Sequence, residues 1–220
     1  MCLIFANKPN QKPNFAALES AWWNNPDGMG LLLWDNVASQ WIVEKHLEAD
    51  IDIVVDRLEE FPIHAIHFRY ATHGKVSIGN CHPFDIGGGW YLMHNGILPF
   101  TPSKSHKSDT WQLSQYLKKM NISQWDDTQL KAFLPILREA SGGDRLLIAR
   151  SDGSIVRIGN WIEKPEGYYS NSGCLVTKVN AKWAPRIADI PKVSDSESWN
   201  TWDYEHDPYV TGNHWLLEDK

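Results

Sequence analysis

Pairs of apolar segments joined by very short connections constrain this chain most. Residues 29–34 and 40–44 flank Asp35-Asn36, and residues 145–149 and 155–158 flank Ser151-Asp152-Gly153. Parallel neighbours need a crossover of about a dozen residues or more, so these segments read as antiparallel strands and hairpins. Residues 3–6, 63–71 and 90–93 read as further strands. Helical spacing marks residues 15–23, where the pattern stops at Asn24-Asn25-Pro26-Asp27-Gly28, and residues 51–58, through Ile51, Val54, Val55 and Leu58. Ser108 is placed to cap a helix carrying Leu113, Tyr116, Leu117 and Met120, and residues 130–137 read as helix despite Pro135. Strands that follow one another directly, with helices interspersed, predict an α+β fold with antiparallel sheets rather than a doubly wound parallel one.

Composition narrows the function. With 42% hydrophobic residues the 220-residue chain can fill a core, and a net charge of −6 leaves no basic surface for nucleic acid. No apolar run reaches the roughly 18 residues of a membrane span, and the start, Met1-Cys2-Leu3-Ile4-Phe5-Ala6, does not read as a signal peptide. Three cysteines (Cys2, Cys81 and Cys174) fit a reducing cytoplasm better than a disulfide scaffold. Residues 1–190 are expected to form one domain. Residues 191–220 turn acidic and Trp-bearing, with Asp195, Glu197, Asp203, Glu205 and Asp207 among Trp199, Trp202 and Trp215. They read as an extension packed on the domain or on a partner, because about 30 residues cannot build their own core.

Four places could carry chemistry. Removal of Met1 would give Cys2 a free α-amine with a reference pKa of about 7.7–8.0, so thiol nucleophile and base would share one residue. Otherwise Cys2 simply begins a buried strand. Arg69, at a strand end before Ala71-Thr72-His73-Gly74, could clamp a carboxylate or form a structural ion pair. Asn95-Gly96 is either a hairpin turn or two donors converging on an oxyanion. Asp109, after Ser108, either favours a helix dipole or holds an ammonium group. The histidines at 64, 67, 73, 82 and 94 raise a metal site, but His64 and His67 on one strand face opposite ways and no ligand motif supports it.

In chain order, Cys2, Asp27-Gly28-Met29-Gly30, Arg69-Tyr70-Ala71-Thr72-His73-Gly74, Asn80-Cys81-His82-Pro83-Phe84, His94-Asn95-Gly96 and Ser108-Asp109-Thr110 resemble a class II glutamine amidotransferase domain, a branch of the N-terminal nucleophile hydrolases. The resemblance implies a four-layer αββα sandwich of two antiparallel sheets. It also implies hydrolysis of L-glutamine to glutamate and ammonia through a Cys2 thioester, without metal or cofactor. Cys2 would be the nucleophile, with Asn95 and Gly96 as oxyanion donors. Arg69 would bind the α-carboxylate, Asp109 the α-ammonium, and Thr72 and His73 would line the pocket, with His82-Pro83 beneath it.

The chain departs from the family pattern at Tyr70, where many relatives have Trp, and at Asn24-Asn25-Pro26, which replaces a His-Arg-Gly lead-in. Gly87-Gly88-Gly89 reads as a flexible loop. The ammonia acceptor is expected on a separate synthase chain. The competing readings are an amidohydrolase of the same fold acting on another γ-glutamyl or peptide-like amide, and an inactive scaffold.

Overall fold

A computed structural model describes residues 2–48, 51–99 and 106–175. The first sheet runs in the order β3-β2-β4-β1-β10-β9. Its strands are β1 (Leu3–Asn7), β2 (Met29–Asp35), β3 (Gln40–His46), β4 (His64–Phe68), β9 (Ile162–Lys164) and β10 (Gly167–Tyr169). The second sheet has the order β5-β6-β7-β8, from β5 (Phe84–Gly87), β6 (Trp90–Asn95), β7 (Arg145–Ala149) and β8 (Ile155–Ile158). Every pairing in both sheets is antiparallel.

Alternation along the strands divides the core into three layers. Leu3, Phe5, Leu31, Leu33 and Phe68 face helices α1 (Phe15–Asn24) and α2 (Ile51–Glu60). Ile4, Ala6, Leu32 and Ala65 face Met93, Leu147 and Ala149 of the other sheet. Leu92, Leu146 and Ile148 pack against α3 (Asp109–Lys119) and α4 (Asp127–Ala140). The result is an α+β fold of four layers, αββα.

Local chemistry sets the helix starts. Asn14, Ser108 and Asp126 accept from the backbone N–H groups of Ala17, Trp111 and Gln129, and the Gln129 side chain accepts in return from the Asp126 N–H, completing a capping box. Pro135 sits on the exposed face of α4, where the carbonyl left without an intrahelical partner can reach water.

Three expectations change. The strand expected over residues 63–71 ends at Phe68: from Tyr70 on, the backbone donors turn to side-chain acceptors, Tyr70 N–H to Cys2 and Ala71 N–H to Asp27. Gly87-Gly88-Gly89 forms the tight connection of a β5–β6 hairpin, with φ of 94°, 60° and 76° and the Gly87 N–H held by Asp85 at 2.7 Å. Asn95-Gly96 is not a hairpin turn: β6 leads from it into residues 97–99, away from its partner β7. The extension expected over residues 191–220 lies outside the described residues.

Candidate active site

β1 runs through the first sheet between β4 and β10, and by alternation Cys2, just before it, falls on the same face as Ile4, which meets the second sheet. One step beyond the Leu3–Phe68 pair, β1 presents Cys2 and β4 runs into Arg69. The Cys2 thiol is gripped by one backbone residue: the Tyr70 N–H donates to Sγ at 3.3 Å, and Sγ–H donates to the Tyr70 carbonyl at 3.3 Å. Burial pushes the thiol above its ordinary pKa, and the Asp109 charge adds to this. The Tyr70 backbone and the Arg69 charge pull it back. A thiol held this way is protonated at neutral pH and needs a base before it can attack.

Asp27 explains why β4 stops here. The Asp27 N–H donates to the Arg69 carbonyl, the Arg69 N–H donates to the Gly28 carbonyl, and the Asp27 carboxylate accepts the Ala71 N–H at 2.8 Å. Backbone that would otherwise extend the sheet is thereby bent around the thiol.

Arg69 is 2% exposed. Its Nη2 donates to the His73 carbonyl at 3.0 Å, while Nη1 is buried with no hydrogen-bond partner among the described residues. A buried guanidinium donor without a partner is costly, and a bound carboxylate would satisfy it.

Asn95 reaches the same region from the second sheet. Its Nδ2 donates to Ser170 Oγ at 2.8 Å, and the same oxygen accepts the Ile4 N–H at 2.8 Å. The Asn171 amide donates to the Cys2 carbonyl at 2.7 Å. One Nδ2 hydrogen of Asn95 is therefore used for positioning, and the other has no partner among the described residues and can serve a ligand. Gly96 follows with φ +154°, its Cα pressed against Asp144.

Asp109 is buried at the start of α3. Its Oδ2 accepts the Leu98 N–H at 2.9 Å, and its Oδ1 accepts the Thr110 N–H at 2.7 Å and the Thr110 hydroxyl at 3.2 Å. An ionised carboxylate has about four acceptor sites, so among the described residues one direction remains for a cation.

On β4, across from Ile4, the His67 ring lies 3.8 Å from that of His82 between centroids, and none of their four nitrogens has a side-chain or backbone hydrogen-bond partner of good geometry among the described residues. Burial pushes His67 down to about 3 and His82 well below its ordinary value, so both are neutral. His64 lies on the opposite face of β4, near Phe5. Among the described residues no three His, Cys, Asp or Glu side chains are placed to hold a metal ion, and no helix is long and apolar enough to cross a membrane.

Of the residues singled out in the sequence, Cys2, Arg69, Asn95 and Asp109 are tied to this region by the bonds and charges above. His73 takes part through its carbonyl, with Nδ1 buried and without a partner among the described residues. Thr72 is exposed and makes no side-chain hydrogen bond among the described residues. Ser170, Asn171 and Asp144 were missed. The one available signal was Ser170-Asn171 directly after the aromatic end of β10, where polar side chains can bond the neighbouring backbone.

No family model matches the chain. Over 70 residues the chain is 36% identical to the glutamine–fructose-6-phosphate aminotransferases (isomerizing) of Streptococcus agalactiae serotypes V and III. The match covers 31% of this chain and 10% of theirs, so it spans about a tenth of the length of these curated relatives. A solved glutamine phosphoribosylpyrophosphate amidotransferase from B. subtilis is similar with TM-score 0.49 and 17% identity, over 79% of this chain and 43% of that one. A glutamine aminotransferase class-II domain protein from Silicibacter pomeroyi is similar with TM-score 0.41 and 14% identity, over 77% of this chain and 87% of that one.

Proposed function

We propose that the chain carries a class II glutamine amidotransferase domain that hydrolyses L-glutamine through Cys2. The observation that carries this reading is the buried Nη1 of Arg69, without a partner among the described residues, on a guanidinium whose charge acts on the Cys2 thiol together with that of Asp109. A zwitterionic amino acid offers one carboxylate and one ammonium, which this cation and this anion select together. The 36% identity to glutamine-dependent aminotransferases over 70 residues supports the choice of glutamine.

Removal of Met1 gives Cys2 a free amine, which takes the thiol proton that burial otherwise retains. The thiolate attacks the side-chain amide carbon, and the negative oxygen is received by the free Asn95 amide hydrogen and the Gly96 N–H. The C–N bond then breaks, and ammonia leaves with the proton returned from the α-ammonium. Water attacks the resulting thioester, releasing glutamate and the thiol. Arg69 and Asp109 fix the substrate's two charges, which turns the attack into an oriented step within one complex. Transfer of the ammonia to a synthase on a separate chain belongs to this proposal, and co-purification tests it.

Ammonia release from L-glutamine, measured with intact mass, is the deciding experiment. The protein lacking Met1 should release ammonia, and Cys2→Ala should abolish release with an unchanged far-ultraviolet spectrum. Full turnover by Cys2→Ala would refute the thioester route. Faster turnover of another γ-glutamyl amide than of glutamine would replace the substrate.

A further inference from the structure

Asp144, in the turn between α4 and β7, has no place in the reaction above, yet it meets the Asn95-Gly96 segment in three ways. Its carboxylate lies against Gly96, where a Cβ would fall 1.8 Å from the Asp144 Cγ. Its Oδ2 accepts the Ile97 N–H at 2.8 Å. The same oxygen lies 3.1 Å from His94 Nε2. His94 points away from the sheet interface, and its Nδ1 is 3.0 Å from the Thr110 hydroxyl, which donates to Asp109. Asp109 in turn accepts the Leu98 N–H.

The contacts close a ring. Two carboxylates hold successive backbone donors, Ile97 N–H by Asp144 and Leu98 N–H by Asp109, and His94 with Thr110 bridges the two carboxylates from behind. The enclosed segment begins with Asn95 and Gly96. Gly96 itself stands at φ +154°, a conformation that L side chains rarely adopt and that its neighbours must fix.

We propose that Asp144 is a positioning residue that holds the Gly96 N–H in line for the oxyanion, acting through Ile97 and His94 and touching no substrate. This rests on the reading of Asn95 and Gly96 as oxyanion donors. Such a residue affects the step in which negative charge develops on oxygen. It leaves unchanged both substrate binding at Arg69 and any reaction of the thiol that forms no oxyanion. Alkylation by iodoacetamide is such a reaction: the sulfur–carbon bond forms as iodide leaves.

The test compares wild type, Asp144→Ala and Asp144→Asn in two assays, glutamine hydrolysis and the rate of Cys2 alkylation by iodoacetamide. Asp144→Ala should lower kcat by about tenfold or more. KM and the alkylation rate should stay within about twofold of wild type. Asp144→Asn keeps one oxygen, which in the place of Oδ2 can accept both the Ile97 N–H and a His94 Nε2–H, so kcat should return to within about threefold of wild type. An unchanged kcat in Asp144→Ala, a loss that Asp144→Asn does not rescue, or a parallel loss of alkylation overturns the inference while leaving the glutaminase reading intact. A wild-type protein with Cys2 at its amino terminus that releases no ammonia from glutamine removes that reading, and the inference with it.

Discussion

The carbonyl oxygen of His82 occupies the space that a side chain on Gly30 would need: a Cβ there would lie 1.6 Å from that oxygen and 2.7 Å from its carbon. Gly30 is on β2, directly across from His67. The bare Cα lets the His82-Pro83 backbone lie against the inner face of the sheet, which brings the His82 ring onto His67. Gly30→Ala should therefore destabilise the fold by about 2–3 kcal/mol, since backbone rather than a flexible side chain must move. Urea unfolding measures the loss, and activity should fall with it.

Asn95→Ala removes the proposed side-chain oxyanion donor and leaves Ser170 Oγ with one donor fewer. Steady-state kinetics should give a kcat lower by about 10²–10³ and a nearly constant KM. A raised KM at normal kcat would assign Asn95 to substrate binding instead.

Arg69→Lys keeps the charge and loses the planar fork. The expected result is a KM raised by about tenfold to a hundredfold, the equivalent of the 1.5–3 kcal/mol that a hydrogen bond to a charged group contributes. Substrate-saturation curves over a wide glutamine range would read this directly, and a KM equal to wild type would remove Arg69 from carboxylate binding.

Three buried histidines make stability depend on pH in a set direction. Burial lowers His64 to about 4 and His67 to about 3, with His82 also well below the ordinary 6.5. The unfolded chain therefore binds protons before the folded one. Stability is fully present above about pH 6.5 and falls as the pH drops toward 4, by up to about 1.4 kcal/mol per pH unit for each histidine. Chemical denaturation across pH 4–7 checks the slope. His64→Leu, on the helix-facing side of β4, should reduce that slope by one histidine's share.

Individual elements were legible because the apolar run at Leu3 to Ala6 and the helical spacing at Ile51, Val54, Val55 and Leu58 are local patterns, whereas the four-layer arrangement rested on the family resemblance of the motifs. The order of the strands was not readable in this way. β10, a three-residue strand, pairs with β1 from Phe5–Tyr169 to Asn7–Gly167, nearly the whole described chain apart, and nothing in Gly167-Tyr168-Tyr169 announces that partner. The site shows the same division. Cys2, Arg69, Asn95 and Asp109 stand out by residue type and motif order. Ser170, Asn171 and Asp144 act through single hydrogen bonds to distant backbone, and ordinary polar residues give no sign of such bonds before the chain is folded.

The placement of β1 between β4 and β10 has a consequence for biosynthesis. β1 gains one of its two neighbours only after residue 169 has been made, so one edge of the strand waits for a partner far along the chain while its β4 edge can pair much earlier. Closure by β10, with Ser170 and Asn171 just behind it bonding Ile4 and Cys2, then fixes the sulfur-bearing residue in place, so the geometry around the thiol is completed among the last pairings of the sheet.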